Sequence, residues 1–159
     1  MKIEPRMPEP GEEAPEFTGR TQDGDEISLS DYRGRRLALY FYPRDDTPGC
    51  TKQACSLRDS YHTLLDEGIA VVGVSADDED AHARFAEKYE LPFPLIADPQ
   101  HTILDRYGVW REKNLYGRKF MGIQRTTFLI DEEGIIRDVI KKPNTGEHAD
   151  EVRSRFAAV

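Results

Sequence analysis

Two cysteines, Cys50 and Cys55, are the whole thiol content of this 159-residue chain, and both lie in the stretch FYPRDDTPGCTKQAC. A thiol becomes a strong nucleophile only as its anion, which cations and helix N-termini stabilise. Cys50 follows an apolar run and the turn residues Thr47, Pro48 and Gly49, where the sequence changes to helical spacing. It therefore falls in the first turn of a predicted helix, where backbone N–H groups lack intrahelical partners. The chemistry on offer there is that of a sulfur anion.

Cys55 lies five residues further on. The rise and radius of an ideal α-helix separate such residues by roughly 8.6 Å between Cα atoms, whereas a disulfide needs less than about 7 Å. A bridge between them requires the first turn or two of the helix to unwind. Other uses of the pair stay open on residue types alone. A permanent structural bridge would close a tiny loop and stabilise little. Two inert thiols could simply fill the core. A zinc site would need more ligands, and His62, His82, His101 and His148 form no ligand-spaced cluster with the cysteines. In a reducing compartment a close cysteine pair favours redox chemistry over a persistent staple.

What could position such a pair follows from length and patterning. The chain has the size of one domain, and its 38% apolar and 33% charged residues suit a packed globular fold. A net charge of −8 opposes binding to nucleic acid or to anionic membrane surfaces. The start, MKIEPRMPEPGEEAPEF, lacks an apolar signal core, and no segment reaches 18 uninterrupted apolar residues. A cytoplasmic protein is expected.

The lead-in, with Glu4, Pro5, Pro8, Pro10 and Pro15, reads as extended chain over the surface. A β-hairpin turning at Asp23-Gly24 should follow. LALYFYP, Leu37 to Pro43, reads as a strand buried on both faces, and IAVVGVSA repeats that pattern. Between them one helix is expected, with Leu57, Tyr61, Leu64 and Leu65 on a single stripe and Gly68 as its stop. DDEDAHARFAEKYEL predicts a second helix, its acidic start (Asp77 to Asp80) matching the dipole rather than a calcium loop. FPLIAD reads as a strand and QHTILDRYGV as a short helix, with Trp110 next to it as a core or surface anchor. IQRTTFLIDEEGIIRDVIKK gives two strands joined through Asp131 to Gly134, and GEHADEVRSRFAAV a closing helix. The expected fold class is α/β: a single domain with a central mixed sheet flanked by helices and an N-terminal hairpin.

PRDDTPGC fits a P-x-x-x-T-x-x-C pattern through Pro43, Thr47 and Cys50. With GEEAPEF, YGVW, GIQRTTFLID and GEHADEV, it resembles the peroxiredoxins, and within them the peroxiredoxin Q or bacterioferritin comigratory protein subfamily. The resemblance covers nearly the whole chain. It implies a thioredoxin-like fold and thiol-dependent reduction of hydrogen peroxide or organic hydroperoxides. Cys50 matches the peroxidatic cysteine, Cys55 the resolving cysteine and Arg125 the active-site arginine, with Thr47 and Pro43 completing the set. It further implies recycling by thioredoxin or a similar dithiol reductant, no metal or other cofactor, and a monomer or weak dimer. Gln53 stands where the subfamily often carries glutamate. Two alternative readings are a thioredoxin-like disulfide oxidoreductase, whose usual C-x-x-C spacing this chain lacks, and a non-catalytic peroxide sensor.

Forming the anion does not by itself make a thiol fast. A thiol lowered from about 8.5 to about 6 gains roughly 30-fold in thiolate at pH 7. It loses about 10 to 18-fold in nucleophilicity through a Brønsted slope near 0.4 to 0.5. Most acceleration must come from donors to the oxygens as the O–O bond breaks, a part expected of Arg125, the Thr47 hydroxyl and the Cys50 N–H. Pro43 is expected to keep water off the sulfur.

Overall fold

The computed structural model describes residues 6–159, so the expectation for Glu4 and Pro5 falls outside them. Its centre is a parallel pair, β3 (Arg36–Phe41) and β4 (Ile69–Ser75), with Leu37 opposite Ala70 and Phe41 opposite Val74. Nearly every residue of the two is buried, because alternate side chains enter two separate cores. Leu37, Leu39, Phe41, Val72 and Val74 face one; Ala38, Tyr40, Ile69 and Val71 face the other. This explains their unbroken apolar sequences.

On one side of the pair, β5 (Leu95–Ala97) runs parallel to β4. The hairpin of β1 (Thr18–Thr21) and β2 (Glu26–Ser28) joins β5 antiparallel. On the other, β8 (Thr126–Ile130) and β9 (Ile136–Ile140) add antiparallel to β3. The sheet order is β2-β1-β5-β4-β3-β8-β9. One face is covered by α1 (Pro48–Asp59), α2 (Tyr61–Asp66), α3 (Glu79–Tyr89) and α5 (His148–Ala157), which contribute Leu57, Leu64, Phe85, Val152 and Phe156. The other face receives α4 (Thr102–Arg106) through Ile103 and Leu104. This is the mixed, helix-flanked sheet that the sequence predicts.

Three local features differ from the sequence reading. The helix expected through Leu65 breaks at Ser60 (φ −111°, ψ 13°), which re-aims α2; Leu64 is buried while Leu65 is 41% exposed. The lead-in is held to the body rather than laid over it. Met7, Ala14 and Phe17 enter the core, and the Gly11 and Ala14 amides donate to the carbonyls of Ile136 (2.7 Å) and Gly134 (2.9 Å). A second hairpin, β6 (Trp110–Leu115) and β7 (Arg118–Ile123), turns at Tyr116 (φ 52°) and Gly117 (φ 77°). Positive φ at both turn residues matches the twist of a two-residue hairpin. Most of β7 is exposed, so no buried face writes an alternating apolar pattern there.

Candidate active site

The chain leaves β3 at Phe41 and re-enters regular structure at Pro48, the first residue of α1. Proline suits that position because its missing N–H is not needed there. Thr47 is the N-cap, yet its side chain does not cap. Its hydroxyl donates instead to the Arg44 carbonyl at 3.0 Å. The first-turn amides, that of Cys50 among them, are thus left without a capping side chain. Cys50 is the third helical residue and is 1% exposed. Pro43 stands half-buried in the loop before it.

Strand register brings Arg125 to the sulfur. Phe41 pairs with Thr126, so the residue before Thr126 lies just beyond the end of β3, where α1 begins. Arg125 Nη2 donates to Cys50 Sγ at 3.3 Å, and Nη1 donates to Gln53 Oε1 at 2.7 Å. Gln53 is fully buried one turn along from Cys50, and its Nε2 has no hydrogen-bond partner. Gly49 makes room for the guanidinium: a Cβ there would stand 3.1 Å from Arg125 Nη2. The anion-favouring ingredients of a helix N-terminus and a cation therefore meet at one sulfur.

Two further side chains adjoin this group. Tyr40 is 1% exposed, and its hydroxyl is buried without a partner. Burial first, then the charges of Asp45 and Cys50, pushes its phenol well above the ordinary range, so it keeps its proton. Lys113 of β6 is half-buried; desolvation and then the Arg125 charge push its ammonium down, opposed by Cys50. Sequence reasoning missed both. Tyr40 is one more strand aromatic there, and Lys113 depends on a hairpin whose exposed strands carry no periodic signal.

The loop between β3 and α1 is held at two consecutive aspartates. Asp45 accepts from the Tyr42 hydroxyl at 2.5 Å and lies 2.6 Å from His82 Nδ1, while His82 Nε2 donates to the Ile96 carbonyl at 2.9 Å. The Asp45 amide donates to Asp77 at 2.9 Å, and Ser75 donates to the same oxygen at 2.6 Å. Asp46, at φ 57°, accepts from Lys88 (2.8 Å) and the Tyr89 hydroxyl (2.7 Å). Asp45, Asp77 and His82 bring potential metal-ligand atoms within 4.8 Å of one another. Those atoms are already engaged in the hydrogen bonds just described. Of the acidic run expected at the start of α3, Asp78 is the N-cap, accepting from the Ala81 amide at 2.8 Å, and Glu79 and Asp80 lie in the first turn, whereas Asp77 serves the loop instead.

Cys55 is half-buried within the same helix as Cys50, and both thiols are free. Helical spacing keeps them near the roughly 8.6 Å of an ideal helix, too far to bridge. Trp110 packs against the core and stacks on His101 with ring centroids 3.8 Å apart, an anchor of the hairpin base.

A mixed sheet presenting a sulfur at a helix start, under an arginine from a neighbouring strand, defines a thioredoxin-like class of thiol proteins. The AhpC/TSA family matches residues 10–139. A putative peroxiredoxin bcp of Coxiella burnetii is 49% identical over 148 residues, covering 93% of this chain and 98% of that protein. Among solved structures, peroxidoxin BcpB of Mycobacterium tuberculosis is 33% identical with a TM-score of 0.84, covering 97% of this chain and 99% of that one. The bacterioferritin comigratory protein of Xanthomonas campestris, in structures concerned with alkyl peroxide reduction, is 31% identical with a TM-score of 0.83, covering 89% and 91%. The chain belongs to the AhpC/TSA family, and within it to the peroxiredoxin Q or bacterioferritin comigratory protein group. It is accordingly a thiol-dependent peroxidase.

Proposed function

We propose that Cys50 is the peroxidatic cysteine, Cys55 the resolving cysteine, and Arg125, Thr47 and Pro43 the residues that hold and shield the peroxide. The reading rests above all on the 3.3 Å contact between Arg125 Nη2 and Cys50 Sγ. The Cys50 thiolate attacks one peroxide oxygen, the O–O bond breaks, and hydroxide or alkoxide leaves and takes up a proton. Cys50 is then a sulfenic acid. Negative charge grows on the leaving oxygen, within reach of the Arg125 guanidinium and the first-turn amides. The Thr47 hydroxyl gives its proton to Arg44, so its lone pairs are the part it offers to a peroxide O–H. That role as acceptor replaces the donor role expected from sequence. Pro43 limits access of water to the sulfur.

Cys55 then attacks the sulfenic sulfur, water leaves, and a Cys50–Cys55 disulfide forms once the first turns of α1 unwind. A dithiol protein such as thioredoxin returns the pair to thiols by exchange through a mixed disulfide. Organic hydroperoxides are proposed as substrates beside hydrogen peroxide, by likeness to the Xanthomonas protein. We further read the chain as a single domain acting in the cytoplasm as a monomer, with a weak dimer as the variant to test. No helix among the described residues is long and apolar enough to cross a membrane.

Stopped-flow peroxide consumption by wild type, Cys50→Ser and Cys55→Ser tests the assignment. Cys50→Ser should abolish the reaction, whereas Cys55→Ser should keep the first oxidation and lose thioredoxin-supported cycling. Equal activity in all three would overturn it.

A further inference from the structure

Among the described residues the β6–β7 hairpin pairs with no other strand. Its tip presents large apolar side chains to solvent: Tyr116 is 99% exposed, Leu115 58%, Met121 50% and Phe120 44%. Scattered apolar residues are ordinary on a surface, but a cluster on a projecting arm marks a contact site. The arm also departs from the rest of the molecule in charge. Arg111, Lys113, Arg118 and Lys119 against Glu112 give residues 110–123 a net +3, on a chain of net −8 whose remainder therefore carries −11.

The arm is joined to the reacting sulfur. β7 ends at Ile123, two residues before Arg125, whose guanidinium contacts Cys50 Sγ. Lys113, on the other strand, interacts electrostatically with both Arg125 and Cys50. A partner lying along the arm from its tip to its base therefore reaches the thiol site.

We propose that the β6–β7 hairpin is the docking arm for an acidic dithiol protein that reduces the Cys50–Cys55 disulfide. The proposal rests on the reading of those two cysteines as the redox pair. In the exchange, two thiols of the partner become a disulfide while Cys50 and Cys55 return to thiols, so two electrons and two protons pass between the proteins. The charge pattern selects the partner. The arm is net positive on a body of net negative charge, so a protein of acidic net charge is steered toward the arm, whose base adjoins the sulfur. Tyr116 and Phe120 supply the aromatic anchors that dominate small transient interfaces. A second copy of this chain seated there would obstruct the sulfur through every cycle, whereas a reductant must arrive once per turnover and leave.

The test compares wild type with Tyr116→Ser/Phe120→Ser and with Arg118→Glu/Lys119→Glu. Steady-state peroxidase activity is measured with an acidic thioredoxin and its reductase, and in parallel with dithiothreitol, which needs no docking surface. Both variants should raise the KM for thioredoxin about tenfold. The charge variant should also flatten the ionic-strength dependence of kcat/KM, while peroxide oxidation and the dithiothreitol-supported rate stay unchanged. The proposal is overturned if both variants keep the wild-type KM for thioredoxin. It is also overturned if thioredoxin and dithiothreitol rates fall together, or if only self-association changes on sedimentation. Wild type that cycles with dithiothreitol but with no thioredoxin would instead overturn the recycling reading on which this rests.

Discussion

Arg125 and Cys50 stand 75 residues apart in the chain and 3.3 Å apart in space. The second nitrogen of Arg125 is spent on the neutral amide of Gln53, so the guanidinium brings its charge to the sulfur without a carboxylate on that arm. A glutamate at position 53 would face the same nitrogen and set a negative charge one helical turn from Cys50. Gln53→Glu should slow peroxide oxidation at pH 7 several-fold, because its carboxylate would neutralise the Arg125 guanidinium that serves the leaving oxygen. Arg125→Lys keeps the charge but loses the fork that spans both partners. Loss of one such donor typically costs about 10² to 10³-fold in the chemical step. Stopped-flow oxidation rates between pH 6 and 9 check both outcomes.

Resolution requires α1 to unwind between its two cysteines, so the stability of that turn should set its rate. Lys52 is exposed in α1 between them, where a substitution disturbs no packing. Glycine is less favourable than alanine in a helix by about 1 kcal/mol, equivalent to roughly fivefold in a population or rate. Lys52→Gly should therefore form the disulfide about fivefold faster than Lys52→Ala after a single oxidation, as followed by quenched alkylation of the remaining thiols. Indistinguishable rates would mean that unwinding is not the barrier.

Asp45 ties the loop that presents Thr47 and Cys50 to His82, and both side chains are buried, at 6% and 0% exposure. Asp45→Ala strips His82 Nδ1 and the Tyr42 hydroxyl of their acceptor and leaves polar groups buried unpaired. Leaving a buried hydrogen-bonding group unsatisfied costs about 1 to 3 kcal/mol, and two are exposed to that loss here. For a domain of this size each kcal/mol lowers Tm by about 2 to 4 °C. A fall of about 4 °C or more is expected, together with a severalfold slower peroxide oxidation. Thermal unfolding and single-turnover kinetics measure the two; a normal Tm would show that the loop is held by other means.

Much of this was legible in the residues. The β3 and β4 runs, buried on both faces, stand out as unbroken apolar segments, and PRDDTPGC alone places Cys50 at a helix start. Arg125 could be named from sequence only through a family pattern, since its approach to Cys50 depends on Phe41 pairing with Thr126, and register leaves no local mark. The Asp45 to His82 tie was invisible for the same reason: an acidic run reads as helix-start charge until the fold shows which carboxylate turns inward. The β6–β7 hairpin escaped because strands without a buried face lack the alternation by which strands are recognised.

Acid should weaken the fold through His148. Its ring is fully buried between Thr127 Oγ1 and Glu151 Oε1, each 2.8 Å from a ring nitrogen. Burial pushes its pKa below the ordinary 6.5; Glu151 opposes that shift, and the Arg125 charge adds to it. Above 6.5 the ring is neutral in both the folded and unfolded chain, so its contribution to stability is intact. As pH falls below 6.5 the unfolded chain takes up a proton that the folded site resists, and stability is lost until the folded site also titrates. One such group changes stability by at most about 1.4 kcal/mol per pH unit. The carboxylates of Glu12, Asp46 and Glu67, whose pKa values are lowered from 4.5, 3.8 and 4.5, exert their loss at lower pH. Urea unfolding followed through Trp110 at pH 7.5, 6.5 and 5.5 should therefore show a decline that His148→Gln flattens, because an amide can span the same two partners without titrating.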